Sequence, residues 1–347
     1  MSVQLHFKTL PEYLNSVKIK DKEEKNITHT VMPDVSLNVY PGKFKIKEEH
    51  KDYFYNLYTK WIFTWEEEHH ITEKHHPDYS PVLIDLDFRY PIDKGSERIY
   101  AIDCLIIFLQ RYLDIISSYL EIKDEQKVCY VMEKSKPAKD DKKNIMKDGV
   151  HIILPYIVSK YHPLFLTRLE IIKETDIIEL FKNIGFTNPI EDIVDEAVIE
   201  RNNWFMYGSS KPGKERYQIT SILKYDSEKK KLINTGKETG LSNLELVKLF
   251  SVYNINEKYI CEVKQEENVK LKLEELEKIE EKKNKKNKRK NMVKDNGKGF
   301  RNQTSENIDV IKKLISLLSA KRADNHDDWM RVGWCLHNID YTLLDSW

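Results

Sequence analysis

The chain has 347 residues with 57 basic and 57 acidic side chains, so it carries no formal net charge. That excludes a globally basic nucleic-acid-binding surface, and any electrostatic footprint has to be local. No apolar run approaches the ~20 residues of a membrane span, and the start Met1-Ser2-Val3-Gln4-Leu5-His6 lacks the apolar core of a signal peptide, so no membrane partner is expected.

Residues 1–40 show no clear period. Pro41-Gly42 marks a turn, and Lys43 to Ile46 suits a short strand. From Glu48 to about Trp65, apolar Tyr53, Phe54, Leu57, Tyr58 and Trp61 make one helical face. Four histidines follow, His69, His70, His75 and His76, among Glu, Lys and Asp that suggest an exposed loop; their spacing fits no common zinc site. Pro81 to Phe88 is an aliphatic strand, Ile102 to about Leu120 an amphipathic helix, and Lys127 to Met132 a second strand. Lys134 to Lys147 is a basic, proline-containing loop, Val150 to Pro155 a third strand, and Leu164 to Ile184 a helix. Strand and turn return over Asn203 to Ser210 and Arg216 to Tyr225. Interspersed helices and strands predict an α+β or α/β fold.

Composition changes near Val263. Gln265 to Arg289 is first acidic and then basic, ending in the lysine-rich run Lys282 to Lys290, and Gly297, Gly299 and Asn302 extend it. This predicts a charged helical or disordered linker, with a nucleic-acid or nuclear-targeting patch as the alternative. Helical spacing resumes at Ile311, Leu314, Ile315, Leu317 and Leu318. The chain stops at Trp347 inside an apolar pattern, which suggests a piece of a longer protein. The four cysteines, Cys104, Cys129, Cys261 and Cys335, are too scattered for a zinc knuckle or a disulfide framework and fit a reducing, intracellular setting.

The chemistry concentrates at Asp85 and Asp87. Residues i and i+2 of a strand share a face, so the two carboxylates project side by side. Like charges that close resist ionisation, and a hard divalent cation such as Mg²⁺ relieves them. This suggests a metal-dependent phosphoryl-transfer site, with two ions about 3.5–4 Å apart. Downstream, Lys147-Asp148-Gly149-Val150-His151 leads into a strand. Gly149 permits close approach of a phosphate and Lys147 offers it a charge, while His151 could bind phosphate or donate a proton. Ile193-Val194-Asp195 adds a third carboxylate. Tyr207-Gly208-Ser209-Ser210-Lys211-Pro212-Gly213-Lys214 makes a phosphate-binding turn, without the spacing of a P-loop.

Taken in order, these motifs resemble the archaeo-eukaryotic primase superfamily. They look most like the primase half of viral primase–helicases, those of poxviruses and giant DNA viruses, and like the related PrimPol enzymes. The resemblance covers roughly Pro41 to Tyr225, and Arg322 to Leu336 resembles the small helical domain that follows the primase there. It implies an α+β primase fold, a mixed sheet with an RRM-like catalytic half flanked by helices. The implied domains are a catalytic one over 1–262, a linker over 263–304 and the start of a small helical domain over 305–347. By resemblance Asp85, Asp87 and Asp195 bind two ions, Mg²⁺ or Mn²⁺, and Lys147 and His151 contact the triphosphate of an NTP or dNTP. Gly149 stands where the family has serine, so that contact is lost. Ser209, Ser210 and Lys211 match the Ser-Ser-Lys element. The family's upstream arginine is missing, with Asn202 and Phe205 at its place and only Arg201 nearby; Lys43 is the candidate for a basic residue on an early strand.

The resemblance further implies a single-stranded DNA template, primer synthesis for DNA replication, a hexameric helicase domain in the full-length relatives, and work inside the cell, in a cytoplasmic viral replication factory or the host nucleus. No Walker motif is present, so no unwinding by this chain is expected. Two rival readings stand beside it. A metal-dependent nuclease would share the carboxylates without needing Lys147, His151 or Ser-Ser-Lys. A catalytically weak template-binding module tethered to a helicase would explain the missing arginine and serine.

Overall fold

The structure is a computed structural model, and it describes residues 7–20, 26–37, 39–279, 305–319, 324, 326–339 and 343. It divides into two compact units, Met1–Leu276 and Glu277–Trp347.

The first unit holds the α+β architecture. Helix α1 (Leu10–Ser16) starts with Thr9 and Glu12 in a reciprocal capping box. Three-residue strands β1 (His29–Val31) and β2 (Gly42–Phe44) follow, then α2 (Lys51–Thr59) and a π-helical turn at Lys60–Thr64. After β3 (Ile71–Glu73) comes the long strand β4 (Ser80–Pro91), then α3 (Ile102–Tyr119), β5 (Val128–Glu133), β6 (Ala138–Asp140) and β7 (Ile145–Ser159). The rest is α4 (Tyr161–Ile171), α5 (Thr175–Ile184), α6 (Ile190–Ile193), β8 (Trp204–Phe205), β9 (Gln218–Asp226), β10 (Lys231–Asn234), α7 (Asn243–Leu249) and α8, helical over 267–279.

Among the described residues the strands form two antiparallel sheets. The main sheet has the order β10-β9-β5-β7-β4, with β6 added to β7, and the small sheet the order β2-β1-β3-β8. Antiparallel pairing throughout selects α+β from the two expected classes. One face of the main sheet packs Ile84, Leu86, Phe88, Val131, Val150 and Ile152 against α3, α4 and α5. The other carries Leu83, Tyr130, Met132 and Ile153, which join Trp204 and Phe250 in a separate cluster. Each aliphatic side chain so buried is worth about 1.5–3 kcal/mol, so the alternation decides which way β4 faces.

Several expectations need correction. The loop from Lys134 to Lys147 is in large part a β-arm: Ala138–Asp140 pairs with Ile145–Lys147. The helix expected over Leu164 to Ile184 is two, broken at 172–174; Gly185 then closes α5 in the left-handed region at φ 105°. The histidine cluster is not an exposed loop. His69, His70 and His75 are buried around β3, and their partners explain why. His70 bonds the Ser210 carbonyl (2.7 Å) and the Asp34 carboxylate (3.1 Å), and His75 bonds the Asn202 carbonyl (2.9 Å).

The first part of the expected linker is also not solvated. α8 buries Val269 and Leu276 in the main core, and Lys272 pairs with Glu170 at 2.7 Å. The Glu- and Lys-rich composition masked an apolar stripe at i, i+4 and i+7 (Val269, Leu273, Leu276). The basic run Lys282 to Lys290 lies outside the described residues, as do Gly297, Gly299 and Asn302. The second unit carries helices α9 (Ser305–Ser316) and α10 (His326–Ile339).

Candidate active site

The β4–β7 ladder sets the site. Asp85 stands opposite His151, Asp87 opposite Gly149, and Arg89 opposite Lys147. Register partners share a face and strand side chains alternate, so all six lie on the face away from α3. β7 can run so long because a bulge at Pro81/Val82 absorbs three of its residues, Pro155 among them, which has no N–H for a ladder.

Asp195 arrives from a distant segment. Val194 bridges Leu86, and the Asp195 N–H donates to the Asp85 carbonyl at 3.0 Å. Buried Arg168 on α4 fixes this segment by donating to the carbonyls of Val194 (3.1 and 3.2 Å) and Glu191 (2.9 Å). Asn188 ties the same region to β4: its amide donates to the Asp87 carbonyl (2.8 Å) and its Oδ1 accepts from the Arg89 N–H (3.0 Å). The Asp195 carboxylate accepts from the Ala197 N–H at 2.9 Å.

The electrostatics follow from this packing. Burial, and then Asp87 and Asp195, push the Asp85 carboxyl well above the usual carboxylate range, against Lys211 and Lys134. Burial raises Asp87 too; Asp195 adds to this while Lys211, Arg89 and Lys147 oppose it. His151 moves the other way, down to about 3, through burial and the nearby Lys134 and Lys211. It is a neutral imidazole, and its Nε2 lies 3.7 Å from Asp85 Oδ1, too far for a hydrogen bond. Asp85 Oδ1 is therefore buried without a hydrogen-bond partner.

That orphaned oxygen tests the fit to a metal. Among the described residues no three His, Cys, Asp or Glu side chains form a closed ligand set. Three carboxylates repel one another, a physical reason for them to stand short of closure. The donors themselves suit a hard cation: carboxylate oxygens only, one of them buried and unpartnered.

The Ser-Ser-Lys turn is placed by its neighbours. Gly208 takes φ 94°, and a Cβ there would meet Phe63 and Ile62 at 2.7 and 2.8 Å. The Ser209 hydroxyl is turned into the fold, 2.9 Å from the Tyr58 hydroxyl and 3.3 Å from the Ile71 N–H. Ser210 is anchored through its carbonyl to His70. Lys211 brings its charge to Asp85 and Asp87. Lys147 pairs with Asp140 at 2.7 Å.

Two predicted residues are not gathered in. Arg201 is exposed and pairs with Glu196 at 3.2 Å. Lys43 stands exposed on β2, at the far edge of the small sheet from β8, whose Trp204 ring packs 4.6 Å from that of His151. The sequence reading missed Arg89, Lys134, Trp204 and Tyr217. Arg89 continues the i, i+2, i+4 alternation from Asp85 and could have been found. The others reach the site from separate elements.

The comparisons with known proteins fit this geometry. Residues 33–223, more than half of the chain, match the family model described as C962R protein N-terminal AEP domain, where AEP denotes archaeo-eukaryotic primase. The chain belongs to the archaeo-eukaryotic primase family. Its antiparallel sheets, in place of the mixed sheet expected, and its flanking helices are consistent with that fold. Residues 311–347 match a second family model, Primase C terminal 2.

The chain is also similar to three viral proteins. It is 30% identical to "Putative helicase L207/L206" of Acanthamoeba polyphaga mimivirus over 96% of the chain and 35% of that protein. It is 25% identical to "Putative helicase 121R" of Invertebrate iridescent virus 3, over 90% of the chain and 35% of that protein. It is 26% identical to "Putative helicase 184R" of Invertebrate iridescent virus 6, over 92% and 34%. The chain thus spans about a third of the length of these relatives. Family membership supports a primase or nucleotidyltransferase role, and domains of this family generally use divalent metal ions. Among the described residues no helix is long and apolar enough to cross a membrane.

Proposed function

We propose that this chain is a template-dependent nucleotidyltransferase, a DNA primase or primase–polymerase that makes primers on single-stranded DNA from nucleoside triphosphates. The observation that carries the reading is the buried, unpartnered Asp85 oxygen beside Asp87 and Asp195, faced by Lys211 and Lys134. Carboxylates on one side and ammonium groups on the other are the arrangement a metal-bound triphosphate needs.

In this reading Asp85, Asp87 and Asp195 hold two divalent ions, Mg²⁺ or Mn²⁺, which when bound lower the pKa of the attacking hydroxyl and shield the triphosphate. Lys211 and Lys147 bind phosphate oxygens as point charges. Neutral His151 offers one ring N–H to a phosphate and adds no charge of its own. A primer 3′-hydroxyl then forms a bond to the α-phosphorus, the bond to the β-phosphate oxygen breaks, pyrophosphate leaves, and the hydroxyl proton passes to solvent. Positioning and charge stabilisation do the catalysis, and no protein nucleophile is required.

The second family match and the names of the relatives support a helicase region in the whole protein, and replication inside an infected cell. Two observations favour a weaker enzyme: Arg201 faces solvent and the Ser209 hydroxyl is occupied within the fold. A template-binding module would explain both. The test is primer synthesis on single-stranded DNA with Mg²⁺ or Mn²⁺, wild type beside Asp85→Ala/Asp87→Ala. Short products from wild type alone support the polymerase. Template binding without products favours the module, and degraded template favours a nuclease.

A further inference from the structure

Gly149 is one of two places where this chain departs from the motifs it resembles, and the structure shows what occupies the space. A Cβ built on Gly149 runs into the hydroxyl of Tyr217 and lies 3.7 Å from Asp87 Oδ1. The phenol therefore stands over β7 at the spot a serine side chain would take. It can lie there only because position 149 has no side chain.

Tyr217 is held in place from two sides of the site. Its ring stacks on His151 with centroids 3.6 Å apart and planes 18° from parallel. The Lys134 ammonium sits 4.8 Å from the ring centroid. Tyr217 directly precedes β9, so it also ties the Ser209–Arg216 loop to the main sheet. Burial, and then the charges of Asp85 and Asp87, push its hydroxyl far above the usual phenol range, so it keeps its proton. Among the described residues it has no hydrogen-bond partner. A half-buried donor that bonds no described residue, beside two carboxylates and under the Lys134 ammonium, is free to meet an anion that enters the site.

We propose that Tyr217 is a substrate-contacting residue, its hydroxyl donating to a phosphate oxygen of the incoming nucleoside triphosphate in place of the serine missing at position 149. The inference rests on the nucleotidyltransferase reading above. Gly149 and Tyr217 then act as a matched pair: glycine makes room for the phenol, and the phenol supplies the donor.

The test uses the full chain with Mg²⁺-ATP as probe, read by calorimetric binding and by the KM and kcat of primer synthesis. Tyr217→Phe keeps the ring stack and removes only the donor. It is expected to weaken nucleotide binding and raise KM about tenfold, the scale of one hydrogen bond to a charged group, with kcat and template affinity little changed. Gly149→Ser alone is expected to weaken binding, because the new Cβ meets the phenol. Gly149→Ser combined with Tyr217→Ala is expected to bind better than Tyr217→Ala, since the serine then reaches the vacated space. Wild-type binding in Tyr217→Phe, or no gain from the serine in the double variant, overturns the proposal and leaves the nucleotidyltransferase reading standing. A wild-type protein that neither binds nucleotide nor makes primers overturns both.

Discussion

Two groups of carboxylates lie on opposite faces of the main sheet, and the fold treats them in opposite ways. On the α3 side, Arg98 donates to both oxygens of Asp148 at 2.8 and 3.0 Å and lies 3.3 Å from Glu133. Glu133 also accepts from Tyr100 and Thr220, each at 2.5 Å. Every charge there is answered. On the other face Asp85, Asp87 and Asp195 repel one another, and Asp85 Oδ1 has no partner. Leaving a buried carboxyl oxygen without a partner costs free energy, and part of that cost shows as the raised pKa of Asp85. The paired group braces the sheet, and the unpaired group is the one that the proposed metal ions would relieve.

The largest effects should separate the two groups. Asp85→Asn keeps the side chain's size and removes a repelling charge. Primer synthesis should fall about 10³-fold or more, the scale of losing preorganised electrostatics, while the unfolding temperature holds or rises. A large fall in stability would mean that Asp85 braces the fold as Glu133 does. Arg98→Met should do the reverse. It leaves Asp148 and Glu133 buried without their cation and should cost about 3–5 kcal/mol in urea unfolding. A neutral result there would show that Glu133 is held by its hydroxyl donors and that Asp148 tolerates the loss of its cation, and would weaken the contrast.

The two faces were not equally legible in the sequence. The alternation Leu83, Asp85, Asp87 against Ile84, Leu86, Phe88 announces a strand with one charged face, and β4 has that form. His151 sits on a run apolar enough to read as a strand, and β7 pairs it with Asp85. The small sheet was only half legible: its outer strands β2 and β8 fall in stretches read as strand, whereas β1 and β3 are three residues each and bury polar groups. Glu73 is buried on β3 because Ser251 and the Val252 N–H reach it at 2.8 and 2.9 Å, partners far away in the chain. The break between α4 and α5 falls at Ile172-Lys173-Glu174, where no glycine or proline marks it. Tyr217 over Gly149 is likewise a meeting of separate elements, and no local pattern carries it.

A ligand-linked measurement sharpens the comparison further. Mg²⁺ or Mn²⁺ at about a hundred times its dissociation constant should stabilise the folded chain by about 2.7 kcal/mol, since it binds the folded state alone. Melting curves with and without the ion read this directly. The gain should vanish in Asp85→Asn/Asp87→Asn and survive in Glu133→Gln. If Glu133→Gln abolishes it instead, the ion is held on the α3 side and the site has been placed on the wrong face.

The smallest effect asks whether burial without a charged partner always signals function. His69 is buried beside β3, away from the three carboxylates, and burial, with His70 adding to it, lowers its pKa to about 4. The fold resolves the problem by keeping the ring neutral, its Nδ1 accepting from the His70 N–H at 3.1 Å. The unfolded chain takes up a proton on this ring below about pH 6.5 and the folded chain does not until about pH 4. Its contribution to stability is therefore complete above pH 6.5 and falls as pH drops toward 4, by about 1.4 kcal/mol per pH unit. His69→Asn keeps an acceptor that does not titrate, so its unfolding free energy should fall less steeply across that window than the wild type's. Parallel slopes would place the acid sensitivity elsewhere, with His75 next in line because burial lowers its pKa as well. A neutral His69 and an unpaired Asp85 then mark the distinction that matters: burial moves the imidazole away from its charge with little help from neighbours, whereas Asp85 is moved by burial and by two neighbouring carboxylates together, a crowding that a bound cation would relieve.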